Sequence, residues 1–337
     1  MLYVTTQDNK DAHTAYRTLG SNFGPEGGLF VPFKMPKLEA AQIAQLKEKS
    51  FEQNIADVLN LLFKARLDGW DVGFTIGRYP HKLVPMSHRI YVAEIWHNPD
   101  HDFARIVRNL SSRIRGTEDT TDQPSNWAWI ATRIAVLFAL FGELCKSNVT
   151  DAEHPVDVAL PSGDFAGPMA AWYAREMGLP LANIICSCDE NDASWELLRN
   201  GQINPADGPS MPYDMERLIH GTLGTEETLR YVKCVKDKSI YQVSDQQLAK
   251  LSAGMYPAVI SWSRREKIIH GVYSTSTYIL DPGSAMAYGG LQDYRATAGE
   301  SRPALILTER SPILSADTVA KAMNITPAVL RERMNLA

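Results

Sequence analysis

Three short stretches of this 337-residue chain carry side chains able to do chemistry. The first, HNPDHD, sets His97, Asp100, His101 and Asp102 within six positions, with His81 and His88 upstream. Imidazole and carboxylate ligands suit Zn²⁺ or Fe²⁺, and a histidine pair spaced i, i+4 can share one helix face. Pro99 stands between the two histidines and interrupts a regular helix. His97 and His101 are therefore weak metal candidates, and no metal is expected. The second, PSGDFAGP, places Ser162, Gly163, Asp164 and Phe165 between an apolar run and a helix. A strand–turn–helix of this kind aims backbone N–H groups and a helix dipole at an anion. The third is the C-x-C of Cys186 and Cys188, followed by Asp189, Glu190 and Asp192. Without a second cysteine pair it does not make a zinc knuckle and reads as buried free thiols. The acidic group ends a strand, where α/β sheets tend to bind ligands, but no base accompanies it.

These stretches need elements to hold them. VDVAL (156–160) and ANIICSC (182–188) read as strands flanking the PMAAWYAREMG helix, with Pro168 at its first position and Gly178 at its stop. That is a strand–helix–strand unit. Upstream, the Gly- and Pro-rich GPEGGLFVP places a short Leu29–Val31 strand, and residues 38–67 carry helical apolar spacing in two helices, the second capped by Ser50. Ile90–Ile95 reads as a strand, Phe103–Ile114 as a short helix, and GTEDTTDQPS (116–125) as a surface loop. The run from Trp127 to Cys145 is the most apolar, but Arg133 and Glu143 leave it short of a spanning segment, so a buried helix is expected. Further on, helices at VSDQQLAKLSAGMY, GSAMAYGGLQDYRA and ADTVAKAMNI surround expected strands at Lys267–Tyr273 and Ala304–Leu307. Strands alternating with helices indicate an α/β layered fold.

Composition narrows the classes. With 45% apolar and 22% charged residues, the chain can bury a large core and is not disordered or disulfide-stapled. A formal charge of −5 implies no broad basic face, so a nucleic-acid partner is not expected. The tail 315–334 has only Lys321, Arg331 and Arg333 as bases, so it reads as two helices packed on the core rather than a DNA-binding pair. The first residues lack a basic start followed by an apolar run, so no signal peptide or membrane partner is expected. Four unevenly spaced cysteines, Cys145, Cys186, Cys188 and Cys234, suit reduced thiols in the cytoplasm.

The order of motifs resembles threonine synthase, of the fold-type-II pyridoxal-phosphate enzymes. GPEGGLFVP resembles that family's entry segment, and IYVAEIWHNPDHDFARIV looks like the segment ending in H-G-P-T-x-x-F-K-D. SNWAWIATRI resembles N-S-x-N-W-x-R-I, and LPSGDFAGPMAAWYAREMGLP resembles the S-G-N-F-G-D phosphate loop and its helix. DENDASWELLRNGQ, then PSM with ERLI, and then DPGSAMAY follow in the family's order. The resemblance runs from Gly24 to Tyr288 and implies a three-layer, parallel-sheet α/β fold like the large lobe of these enzymes.

Departures from the pattern fall on the residues the family uses for chemistry. Matching His97, Pro99 and Phe103 to the motif puts Ala104 at the cofactor lysine, and a methyl group cannot form a Schiff base. Asp164 stands where the phosphate loop has Asn, and a carboxylate there repels a phosphate; it is expected to cap the helix instead. Only Ile106–Ser125 separate Arg105 from Asn126, where the family inserts a small subdomain bearing its substrate-phosphate loop. One strand–helix–strand unit needs about 30 residues, so that subdomain is expected to be mostly deleted. LTERSPIL puts Glu309 where a threonine meets the pyridine nitrogen.

The expected organisation is a threonine-synthase-like N-terminal segment (1–105), a shortened connection (106–125) and an α/β core with C-terminal helices (126–337). The resemblance and its departures imply a degenerate member, a pseudoenzyme without bound cofactor. It would bind a small molecule or a protein partner in amino-acid or specialised metabolism, in a homo- or hetero-oligomer. The alternatives are acid–base or metal-assisted chemistry on Asp164, His97, His101 and Glu309, or a lyase using an unrecognised lysine.

Overall fold

The computed structural model describes residues 1–76, 81–96, 103–118, 123–299 and 302–335. A six-stranded sheet organises them, in the order Met255–Val259, Leu181–Cys188, Val156–Pro161, Ala304–Thr308, Ile90–Glu94 and Lys82–Met86. The first five strands are parallel and the last is antiparallel. Each inner strand divides its side chains between two cores. Val158, Leu160, Ile184, Leu305 and Leu307 face one, while Ala159, Ile185, Ala304 and Ile306 face the other. Alternation with both faces apolar is what a parallel sheet covered on both sides requires. The fold is a three-layer α/β sandwich: the sequence pattern predicts its α/β layering, and the resemblance implies its three layers.

The larger core packs beneath the Trp127–Lys146 helix, which is buried almost along its length. Among the described residues it is the one helix long and apolar enough to cross a membrane, and it lies inside the fold. Asn126 caps its first turn and also donates its side-chain amide to the carbonyls of Thr18 and Ser21, fastening the N-terminal segment to it. That segment forms a small antiparallel sheet of Leu2–Thr5 between His13–Thr14 and Phe30–Pro32. Ser50 caps the Phe51–Phe63 helix as expected. The second core is closed by the helices Trp262–Ser276, Pro282–Ala298 and Ala316–Ala322. Helix Phe103–Arg115 leads to Trp127 through residues 116–126, and no strand intervenes among the described residues.

Four elements differ from the pattern reading. Lys267–Tyr273 is helical rather than extended: Ser261 caps a helix over 262–276 and buries Ile268, Ile269 and Val272 against Pro282–Ala298. The i, i+1, i+4 spacing of those side chains outweighs their β propensity. Lys82–Met86 is a strand that the pattern does not reveal, and Met255–Val259 is a strand whose first two residues the pattern assigns to the preceding helix, which in fact ends at Leu251. Both are sheet edges carrying a proline, Pro257 and Pro85, the one place in a sheet where proline is tolerated. The Ala166–Glu176 helix starts two residues before Pro168. Proline fits there because first-turn N–H groups have no intrahelical acceptor.

Candidate functional site

At the carboxyl ends of the strands, the turn after Val156–Pro161 is held in one conformation by its own side chains. Ser162 is buried and donates its hydroxyl to Asp192 Oδ2 at 2.7 Å, while its N–H donates to the Ser187 carbonyl at 2.6 Å. Asp192 also caps the Ala193–Asn200 helix and accepts from the Ser194 hydroxyl. Gly163 and Phe165 both take the left-handed conformation, which costs glycine little and is uncommon for phenylalanine. Buried Phe165 holds that geometry through its contact with the core. Asp164 Oδ1 then accepts the Ala166 N–H at 3.0 Å, so the carboxylate takes up one of the helix's free donors. Its carbonyl accepts the N–H of Asp214 at 3.2 Å.

Arg133, visible in the sequence only as a break in an apolar run, is a buried charge close to Asp164 and Asp214. Its Nε and Nη2 grip both carboxylate oxygens of Glu309 at 2.5 and 2.6 Å. The guanidinium also lies over the Phe103 and Trp129 rings, 5.1 and 5.2 Å from their centroids. Burial opposes its charge, but Glu309, helped by Asp164 and Asp214, more than offsets this and raises its pKa. Glu309 therefore belongs to a bidentate pair, and its carbonyl accepts the Phe103 N–H at 3.0 Å. That bond ties the sheet to the first turn of the helix on which half-buried Ala104 sits.

A second ion pair, also unforeseen in sequence, lies nearby. Asp214 and Arg217 are wholly buried and bonded to each other. Arg217 further donates to the carbonyls of Phe30 at 3.0 Å and Ser125 at 2.9 Å. Burial pushes the Asp214 carboxyl up to about 7, against the pull of Arg217. The pair joins the N-terminal segment at Phe30, Ser125 just before the cap of the long core helix, and the Ser162–Phe165 turn at Asp164. The signal for the first pair was a lone arginine in an apolar run, since a buried charge requires a partner; Arg217, next to Glu216, carries no such mark.

His97, His101 and Asp102 lie outside the described residues. His81 stacks on Phe51 at 3.6 Å, and burial lowers its pKa. No group of three or more metal-type ligands occurs among the described residues. The thiols of Cys186 and Cys188 are buried and their pKa values raised by burial, Cys188 to about 12, so they are inert. Asp189 pairs with Arg265.

A family model for the threonine synthase N terminus matches residues 2–72. The structure superposes on the pyridoxal-phosphate-bound threonine synthase of Brucella melitensis with a TM-score of 0.82, over 99% of this chain and 94% of that one, at 18% identity. The fold is that of the fold-type-II enzymes. Human threonine synthase-like 1 is 25% identical over 189 residues, a match covering 51% of this chain and 25% of that relative. Threonine synthase-like 2 of Xenopus laevis aligns with the whole chain and 93% of its own length at 21% identity. That alignment runs over 448 positions for a chain of 337, so a large part of the relative faces gaps. These matches together support a threonine-synthase-like protein.

Proposed function

We propose that this protein keeps the threonine synthase fold without pyridoxal-phosphate catalysis, and serves as a binding or scaffold protein in amino-acid or specialised metabolism. Ala104 carries the reading. It stands on the first turn of helix Phe103–Arg115, where the resemblance expects the imine-forming lysine, and offers only a methyl group. The surrounding groups do not fit the cofactor either. Asp164 meets the helix N-terminus with its own negative charge, and Glu309 is bound by Arg133. Because both carboxylates have partners, an acid–base role for them is not favoured.

A protein partner is supported by Trp70 and Phe74, which are 81% and 85% exposed one helical turn apart, beside Arg108 and Asn109 of the Phe103–Arg115 helix. The four free cysteines, three buried and one half-buried, suit a reducing compartment such as the cytoplasm. Thermal melts with and without excess pyridoxal phosphate test the proposal. Any ligand held by the native state alone raises the melting temperature. We expect no shift; a saturable rise with one-site stoichiometry would overturn the reading.

A further inference from the structure

At the amino ends of the strands, opposite the family's cleft, lies a second concavity of about 700 Å³. This is within the usual range for small-molecule sites, about 300–1,000 Å³. Its walls come from segments far apart in sequence. Lys47 stands on the Gln45–Glu48 turn, and Cys145 and Asn148 end the long core helix. Arg89 and Arg302 lie just before neighbouring parallel strands, Ile90–Glu94 and Ala304–Thr308.

The cationic wall is fixed from behind. Arg295 donates to the carbonyl of His88 at 2.7 Å and to that of Arg302 at 2.6 Å, so one guanidinium ties together the two loops that carry Arg89 and Arg302. Carboxylates are also present. Asp151 accepts the backbone N–H groups of Glu153 and His154 and faces the His154 ring at 2.7 Å. Asp157, behind the wall, is buried, which raises its pKa, and it accepts the Asn183 amide at 2.9 Å. Three cations, Lys47, Arg89 and Arg302, thus line the cleft with one carboxylate, Asp151, which its own loop already engages, in a chain whose overall charge is −5.

We propose that this cleft binds a small multivalent anion, a phosphate- or polycarboxylate-bearing metabolite, held by Lys47, Arg89 and Arg302. A concavity lined by three cations meets the two requirements of such a site, shape and opposite charge. The cleft shares no residue with the Asp164–Arg133–Glu309 corner, so the assignment stands apart from the loss of cofactor chemistry.

Calorimetric titration of the full chain at low salt, with inorganic phosphate in one arm and citrate in the other, tests it. The expected result is one equivalent of at least one anion, the tighter binder marking the phosphate or the polycarboxylate class. Arg89→Asn and Lys47→Ser, both at exposed positions, should each weaken binding about tenfold, the order of one solvent-screened charge pair. Asparagine suits position 89 because the residue there is left-handed. Lys321→Ser, distant from the cleft, should change nothing. Absence of stoichiometric binding of either anion, unchanged affinity in both cleft variants, or an equal loss in Lys321→Ser would overturn the proposal. Melting curves of each variant verify that the fold is retained.

Discussion

The two ends of the central sheet handle charge in opposite ways. At the carboxyl end, Arg133 is bound to Glu309, Arg217 to Asp214, and Asp164 to a helix N-terminus. At the amino end, Lys47 and Arg89 are exposed around a cleft, and carboxylates are outnumbered. The difference shows where ligand chemistry can reside. Charges satisfied within the protein stabilise one packing and leave little for a cofactor, whereas charges turned to solvent remain available to a ligand. On the proposed reading, the charges at the carboxyl end hold the structure together rather than a cofactor.

The comparison can be broken by removing single partners. Arg217→Met should have the largest effect, because it strands the wholly buried Asp214. A loss of about 3–5 kcal/mol in urea-induced unfolding is expected, and a loss below about 1 kcal/mol would show that the pair does not fasten the site. Arg133→Met should cost less, about 1.5–3 kcal/mol, since the Glu309 carboxylate is about a quarter exposed and water can reach it. Lys47→Ser and Arg89→Asn at the other end should leave stability nearly unchanged, within about 0.5 kcal/mol.

A smaller effect concerns pH. The folded-state pKa of Asp214 lies above its unfolded value, near 7 rather than near the ordinary 3.8. The folded state therefore binds that proton more tightly. The stability it adds is fully present below the unfolded value and is lost as pH rises through about 7. His81 and His220, both lowered by burial, act in the opposite sense: their contribution is present above the unfolded histidine value and is lost as pH falls through their depressed folded values. The Asp214 part is isolated by comparing unfolding of the wild type and Asp214→Asn between pH 4 and 8. The wild type should lose stability relative to the variant as pH rises, and parallel curves would contradict the assignment. Asp164→Asn should have the smallest effect, within about 0.5 kcal/mol, because asparagine caps a helix as well as aspartate.

Much of this end of the molecule was legible in the sequence. The S-G-D-F turn, the buried helix from Trp127 and the strand at Ala304 each obey a local rule of turn chemistry or apolar spacing. Asp164 meets the helix N-terminus, as its residue type and position imply. Arg133, Asp214 and Arg217 were not legible as a site, because their partners lie between 3 and 176 residues away and only folding brings the longer-range ones together. The two edge strands escaped notice because proline obscures the pattern there. The proposed anion cleft takes its cations, Lys47, Arg89 and Arg302, from separate segments, with no motif to mark it.

The central claim is that the carboxyl end no longer forms an imine with pyridoxal phosphate. It is tested most directly by incubating the purified protein with the cofactor, reducing with borohydride and mapping lysine adducts by mass spectrometry. The account predicts no stoichiometric, site-specific adduct and no imine absorbance band. One equivalent fixed on a single lysine, accompanied by such a band, would contradict it and identify the nucleophile in place of Ala104.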